Sequence, residues 1–233
     1  MTMLIPFAGL QPVPWKNGGG STTEIAVFPQ DAGIDEFDWR ITLATIAADG
    51  PFSRFPGVER TLVLLEGHGM ALDIDGEATL VSKAEPVVAF DGESHVNAKL
   101  NRGSSTGFNA MTRLDRCWHR FGRRVLDGAS SFVARADVTL LFLAEGESLE
   151  LCSDDQRINL VRYDAVLLDQ GTTWKLEAEQ GAIFVVDITY YDDEDDLADD
   201  DVEYDAYDGS ADDDEDGDES GDKDSGKDRA RRE

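Results

Sequence analysis

The heptad Pro14-Trp15-Lys16-Asn17-Gly18-Gly19-Gly20 sets an indole, an ammonium and an amide directly before three glycines. Glycine tolerates positive φ and lets the main chain approach another group closely. Lys16 supplies charge, Asn17 a hydrogen-bonding amide, Trp15 an apolar wall, and Gly18 and Gly19 accessible backbone. Together these are the parts needed to recognise a small polar anion. The arrangement is not a phosphate cradle, because a β-branched run rather than a helix follows and no GK[ST] ending is present. The plainer alternative is a tight turn whose indole packs on the mouth of a barrel.

Two arginines extend the set. Arg40 lies inside the apolar run 39–47, and Arg60 opens the run 60–66 after Asp49-Gly50-Pro51-Phe52-Ser53-Arg54-Phe55-Pro56-Gly57-Val58-Glu59. A buried guanidinium is costly unless paired. Each therefore needs an internal carboxylate, with Asp49 and Glu59 as candidates, or a ligand anion. The fork of Arg60 suits a bound carboxylate. In Gly107-Phe108-Asn109-Ala110-Met111-Thr112-Arg113, a period of two puts Asn109, Met111 and Arg113 on one side of a strand. A core strand with a polar end reads equally well.

Nucleophilic catalysis has little footing. GxSxG is absent, and neither Cys117 nor Cys152 has a base partner in its surroundings. His95 beside Glu93 is a candidate general base, against the blander reading of a surface hydrogen-bonding histidine.

These residues must be positioned by strands. About fifteen short apolar or β-branched runs fall into two series, one within 22–112 and one within 131–189. Turn pairs separate them: Glu66-Gly67, Asp75-Gly76, Asp91-Gly92, Glu145-Gly146 and Gln170-Gly171. The pattern predicts an all-β fold of barrel or sandwich type. Two series of similar length imply two stacked small barrels, residues 1–113 and 114–190, with 114–128 the one stretch of helical or irregular character.

Charge marks the end of the folded part. Of the net charge of −28, −17 falls within residues 191–233, leaving an ordinary −11 for the rest. A segment with so little to bury cannot offset its ordering entropy, so a disordered acidic tail is expected there. Arg113, Arg116, His119, Arg120, Arg123 and Arg124 form a basic run, either a solvated face or a contact for that tail. The acidic balance argues against nucleic-acid binding. The longest apolar segments fall short of a membrane span, and the first residues lack the basic start of a signal peptide, so a cytoplasmic chain with two reduced thiols is expected. The oligomeric state stays open, a homodimer among the alternatives.

Three stretches carry a resemblance: PWKNGGGSTTEIAVFP, FDWRITLATIAADGPFSRFPGVERTLVLLEGHGMAL and GFNAMTR. Together they are similar to the HutD/Ves family of cupin-like proteins over roughly residues 4–190, most specifically up to Arg113. The resemblance implies an RmlC-like bicupin and a role tied to histidine utilisation, in which relatives act as accessory or regulatory proteins. Gly107 stands where the family motif carries an acidic residue. Laying the metal-cupin pattern on the chain puts Ser53 and Phe55 at the paired-histidine places, Glu59 near the glutamate and His95 at the last ligand. One histidine and one glutamate fall short of the three or four ligands a zinc-type centre takes. The implied protein thus has no metal and no cofactor, and binds a small carboxylate of histidine breakdown such as urocanate or formylglutamate. Arg60 would hold the carboxylate, with Arg40 or Lys16 secondary and with Trp15, Asn17, Gly18, Gly19 and Asn109 shaping the pocket. The alternatives are a metal-independent enzyme acting on such an intermediate, and a regulator that binds only protein.

Overall fold

Along WRITLATI, side chains alternate between two faces with very different neighbours. The computed structural model describes residues 2–192, and its strand β4 (Trp39–Ile46) sends Trp39, Ile41 and Leu43 one way and Arg40, Thr42, Ala44 and Ile46 the other. The neighbouring strands β3 (Gly20–Phe28), β6 (Val58–Glu66) and β11 (Ser105–Arg113) do the same. With β2 (Pro12–Pro14) and β9 (Val87–Asp91) they make a six-stranded antiparallel sheet in the order β2-β3-β4-β11-β6-β9.

One face of that sheet meets a four-stranded sheet of β5 (Gly50–Pro51), β10 (Val96–Leu100), β7 (Met70–Ile74) and β8 (Glu77–Val81). Ile46, Leu62 and Leu64 from the first sheet and Met70, Leu72, Val96 and Ala98 from the second share one apolar cluster. The other face meets a seven-stranded sheet. There Ile41, Leu43, Val63 and Phe108 pack on Leu140, Phe142, Phe184 and Val186.

The seven-stranded sheet holds β1 (Met3–Ile5), β12 (Cys117–Val133), β13 (Val138–Glu145), β14 (Ser148–Cys152), β15 (Arg157–Val161), β16 (Ala165–Leu168) and β17 (Thr173–Tyr190). It curls until its own strands face one another across Leu126, Leu141, Leu143, Leu149, Leu151, Leu160, Trp174 and Leu176, forming a nearly closed barrel. β13 reads as an unbroken apolar run because both of its faces are covered: Leu140 and Phe142 on the shared layer, Leu141 and Leu143 in the second core. The fold is all-β, and the described residues form one compact unit whose helical content is the single turn Phe7–Gly9.

Two differences from the sequence reading have physical causes. The stretch 114–128, expected as helical or irregular, is a turn followed by most of β12, which pairs with β17 over its length apart from a bulge between Leu126 and Gly128. The basic residues concealed a period of two: Cys117 and His119 are buried while Trp118 and Arg120 are exposed. Arg120 pairs with Asp187 and Arg123 with Glu145 across strands. The second difference lies at the start. Met3–Ile5 forms an edge strand on β16, so a segment that precedes the six-stranded sheet completes the seven-stranded one.

The expectations of a disordered acidic tail and of its contact with the basic run fall on residues outside the described ones, apart from Tyr191 and Asp192. Among the described residues no helix is long and apolar enough to cross a membrane.

Candidate functional site

Register across the six-stranded sheet decides which polar side chains meet. Asn109 of β11 stands between Thr42 of β4 and Leu62 of β6. Two residues on, Met111 stands between Arg40 and Arg60. Side chains two apart share a face, so Arg40, Met111 and Arg60 form one row and Thr42, Asn109 and Leu62 the next. These rows floor a cleft of about 860 Å³, walled by Trp15 and Pro14 on one side, Phe52 and Phe55 on another, and Ile34 at a rim.

Arg60 is the unusual group. Its residue is only 7% exposed, yet it forms no ion pair among the described residues. Nη1 donates to the Ser53 carbonyl at 3.1 Å and Nη2 to Asn109 Oδ1 at 3.4 Å, while Nε is buried without a partner. Phe52, Phe55 and Phe90 surround the guanidinium at 5.8, 5.2 and 4.9 Å from their centroids. Each such contact is worth about 0.5–2 kcal/mol, against a burial cost of several kcal/mol for an unpaired ion. Burial, and then the charge of Arg40, push its pKa down to about 10, so the group stays cationic at neutral pH. A fixed guanidinium in an open apolar cage has the chemistry to hold an anion.

Arg40 is paired, but with neither Asp49 nor Glu59. Its Nε donates to Glu24 Oε2 at 2.7 Å. Glu24 lies on the adjoining strand β3, beside a bulge between Glu24 and Ala26. Asp49 instead accepts from the Leu100 amide, and Glu59 projects from the opposite face of β6 to Arg60. Strand neighbours outranked sequence neighbours.

The glycine-rich turn divides its labour. Trp15, Lys16 and Asn17 line the cleft, whereas Gly18 and Gly19 stay out of its wall and shape the turn behind it. The Gly18 amide donates to the Trp15 carbonyl at 3.0 Å with Gly18 at φ 71°, and the Gly19 amide donates to Asn17 Oδ1 at 3.0 Å. Gly20 has the steric role: a Cβ there would fall 2.1 Å from the Thr45 carbonyl and 3.0 Å from the indole. The indole therefore lies over Gly20, where its Nε1 donates to Thr22 Oγ1 at 2.8 Å.

Arg113, on the Asn109 side of the strand by period, does not enter the cleft. It donates to the carbonyls of Phe37 and Asp35 and lies over the Phe37 ring, clamping the segment that carries Ile34. At Gly107, a Cβ would meet Leu62 Cδ1 at 2.6 Å, so Leu62 fills the space an acidic side chain would need. His95 is exposed and lies 3.5 Å from Asp75, away from the cleft that Ser53 and Phe55 line, so the last-ligand place assigned to it by pattern lies elsewhere in space. Among the described residues no three His, Cys, Asp or Glu side chains are grouped to hold a metal ion.

Sequence reasoning missed Glu24, Phe90 and Ile34. Glu24 and Phe90 reach the site by strand pairing, Phe90 directly opposite Arg60, and nothing in local spacing signals that. His119, named there only as part of a basic run, is carried by β12 and packs against the other face of the six-stranded sheet. That imidazole is buried between Thr112 Oγ1 at 2.7 Å and Thr61 Oγ1 at 2.9 Å, and burial pushes its pKa down to about 4.

The HutD family description matches residues 8–186. An uncharacterised 21.2 kDa protein in the hutC 3′ region of Pseudomonas putida is 36% identical over 159 residues, covering 67% of this chain and 81% of that protein. Protein Ves of Escherichia fergusonii is 43% identical over 104 residues, 44% of this chain and 53% of Ves. Among solved structures, a conserved protein of unknown function from Pseudomonas aeruginosa PAO1 superposes with a TM-score of 0.75 at 30% identity, over 81% of this chain and 99% of that one. HutD from Pseudomonas fluorescens SBW25 gives a TM-score of 0.70 at 27% identity, over 82% and 100%. A salicylate 1,2-dioxygenase from Pseudoaminobacter salicylatoxidans shares the fold alone, at 8% identity and a TM-score of 0.55 over 80% of this chain and 81% of that one.

Proposed function

The chain belongs to the HutD family and has a cupin-like fold, and on that premise we propose that it is a metal-free binding protein for a small carboxylate. It acts as an accessory or regulatory factor of histidine utilisation in the cytoplasm, and its ligand is a carboxylate intermediate of the urocanate or formylglutamate kind. The hut connection is supported by the names of two similar proteins, one in the hutC 3′ region and one called HutD. The architecture is read as a bicupin, residues 1–113 supplying the binding barrel and 114–190 the second, with β1 crossing over to the second. Support for that division comes from the two separate apolar cores on either side of the shared layer.

One observation carries the reading: Arg60 is a buried guanidinium without a carboxylate of its own, with its Nε unpartnered, facing a cleft of about 860 Å³. A ligand carboxylate would complete its hydrogen bonding and neutralise its charge, and charge-assisted bonds of this type are about twice as strong as neutral ones. Lys16, lining the same cleft, adds positive potential beside Arg60 to a chain that is otherwise strongly acidic, which steers small anions to one place. The three rings around Arg60 offer no lone pair to a divalent ion, and the guanidinium repels one, so this end of the cleft favours an anion over a metal.

The test is a thermal-shift titration with small carboxylates on the unaltered chain and on Arg60→Met. Stabilisation that rises with carboxylate concentration in the first and is lost in the second is expected. A full response in Arg60→Met would remove Arg60 from the site.

A further inference from the structure

Glu24 and Arg40 meet inside the cleft, and each side of the pair has unused hydrogen-bonding capacity. Only Arg40 Nε and Glu24 Oε2 are spent on one another, at 2.7 Å. The two Nη groups of Arg40 and Oε1 of Glu24 make no hydrogen bond among the described residues, although both side chains line the cleft. Arg40 and Arg60 stand on opposite sides of Met111. Their Cα positions are therefore two strand spacings apart, about 9–10 Å. A ligand anchored at Arg60 and several bonds long reaches the pair.

The two arginines differ in what they accept. Arg60 has only rings and neutral oxygens around it, so a bare anion satisfies it. An anion approaching Arg40 meets the Glu24 carboxylate at the same time, and the two like charges repel. A cation approaching Glu24 meets Arg40 with the same result. A neutral group that donates and accepts meets neither penalty. It can donate to Glu24 Oε1 while accepting from an Arg40 Nη group, and an amide or an uncharged imidazole has that chemistry.

We propose that the Glu24–Arg40 pair is a second subsite that reads a neutral amide or imidazole at the far end of a monocarboxylate and discriminates against a second carboxylate. This rests on the reading of Arg60 as the carboxylate anchor, and of the two kinds of ligand proposed above it favours the urocanate kind, with one carboxylate and an imidazole, over the formylglutamate kind, with two carboxylates. Specificity of this kind comes as much from the repulsive element as from the attractive one, and Glu24 is the repulsive element.

Three probes of similar reach separate the two readings: valerate, glutarate and the monoamide of glutarate, titrated calorimetrically into the full chain at low salt. The monoamide is expected to bind at least about tenfold more tightly than glutarate. In Glu24→Gln that preference falls below about threefold, and Arg60→Met loses all three probes. If Glu24→Gln fails to fold, the double substitution Glu24→Gln with Arg40→Gln keeps a neutral hydrogen-bonded pair, and the same collapse is expected. Valerate that binds through Arg60 with no preference between glutarate and its monoamide overturns this inference alone, as does a preference that survives the loss of Glu24's charge. Failure of every probe to bind the unaltered chain overturns the Arg60 reading and this inference with it.

Discussion

The two strand systems on either side of the shared layer solve the same packing problem in opposite ways. The second is filled: Trp174, about 1% exposed, is packed with Leu141, Leu143, Leu151 and Leu176 in a core with few polar groups. The first is hollow at one end, where Arg40, Thr42, Arg60 and Asn109 interrupt the apolar face and a cleft of about 860 Å³ remains. Both hold a buried nitrogen without a partner, Trp174 Nε1 and Arg60 Nε. In the filled barrel the orphan is a neutral indole packed among leucines. In the hollow one it is a cation beside open space. An unsatisfied group becomes a receptor only where packing leaves room to satisfy it.

The sharpest way to break this comparison is at the plug. Trp174→Ala should cost about 3–5 kcal/mol in denaturant unfolding, with carboxylate binding retained at temperatures where the chain is folded. A loss below about 1 kcal/mol would mean the second barrel is not the filled partner described here.

The seam between the two systems offers a pH test. His119 is neutral in the folded chain, with its pKa down at about 4, while the unfolded chain takes up the proton near the usual value of about 6.5. Between those values the unfolded state binds more protons. Stability is therefore full above about pH 6.5 and falls as pH drops towards 4, by roughly 3 kcal/mol in all. His119→Gln should flatten that part of the pH–stability curve. An unchanged slope would place the titration elsewhere.

A smaller effect of opposite sign is expected at the receptor. Arg60→Met removes a buried, unpaired cation at similar volume and should stabilise the ligand-free chain by about 1–2 kcal/mol, even as it abolishes binding. Equilibrium unfolding without carboxylate checks this, and a destabilised variant would show that the aromatic cage gains more from the cation than its burial costs. The smallest effect belongs to the outer strand: Arg123→Ala breaks its pair with Glu145, both partners well exposed, and should change unfolding stability by less than about 0.5 kcal/mol.

Much of the first strand system was legible because its signals are local. Period-two alternation places Trp39, Ile41 and Leu43 against Arg40, Thr42 and Ala44, and turn glycines such as Gly67 and Gly76, both at positive φ, mark the breaks. Trp15, Lys16, Asn17, Arg40, Arg60 and Asn109 were all candidates from residue type and motif, and the cleft brings these six together. The same locality explains the failures. Charged residues along β12 obscured an alternation that only pairing with β17 makes visible. Glu24 was passed over because its partner Arg40 is sixteen residues away in sequence and one strand away in space. Gly18 and Gly19 were credited with contacts that their turn directs elsewhere.

Residue by residue, the sequence alone determined the β character, the unpaired demand of a guanidinium in an apolar strand, and the glycines a tight turn requires, because those depend on side-chain period, charge and backbone freedom within a few residues. Only the tertiary structure decided that Arg40 has a carboxylate and Arg60 has none, that three phenylalanines enclose the latter, and that one barrel is filled while the other is open. Those outcomes depend on register between strands distant in sequence. A shift of one residue in β6 against β11 would turn Arg60 out of the cleft and Thr61 into it.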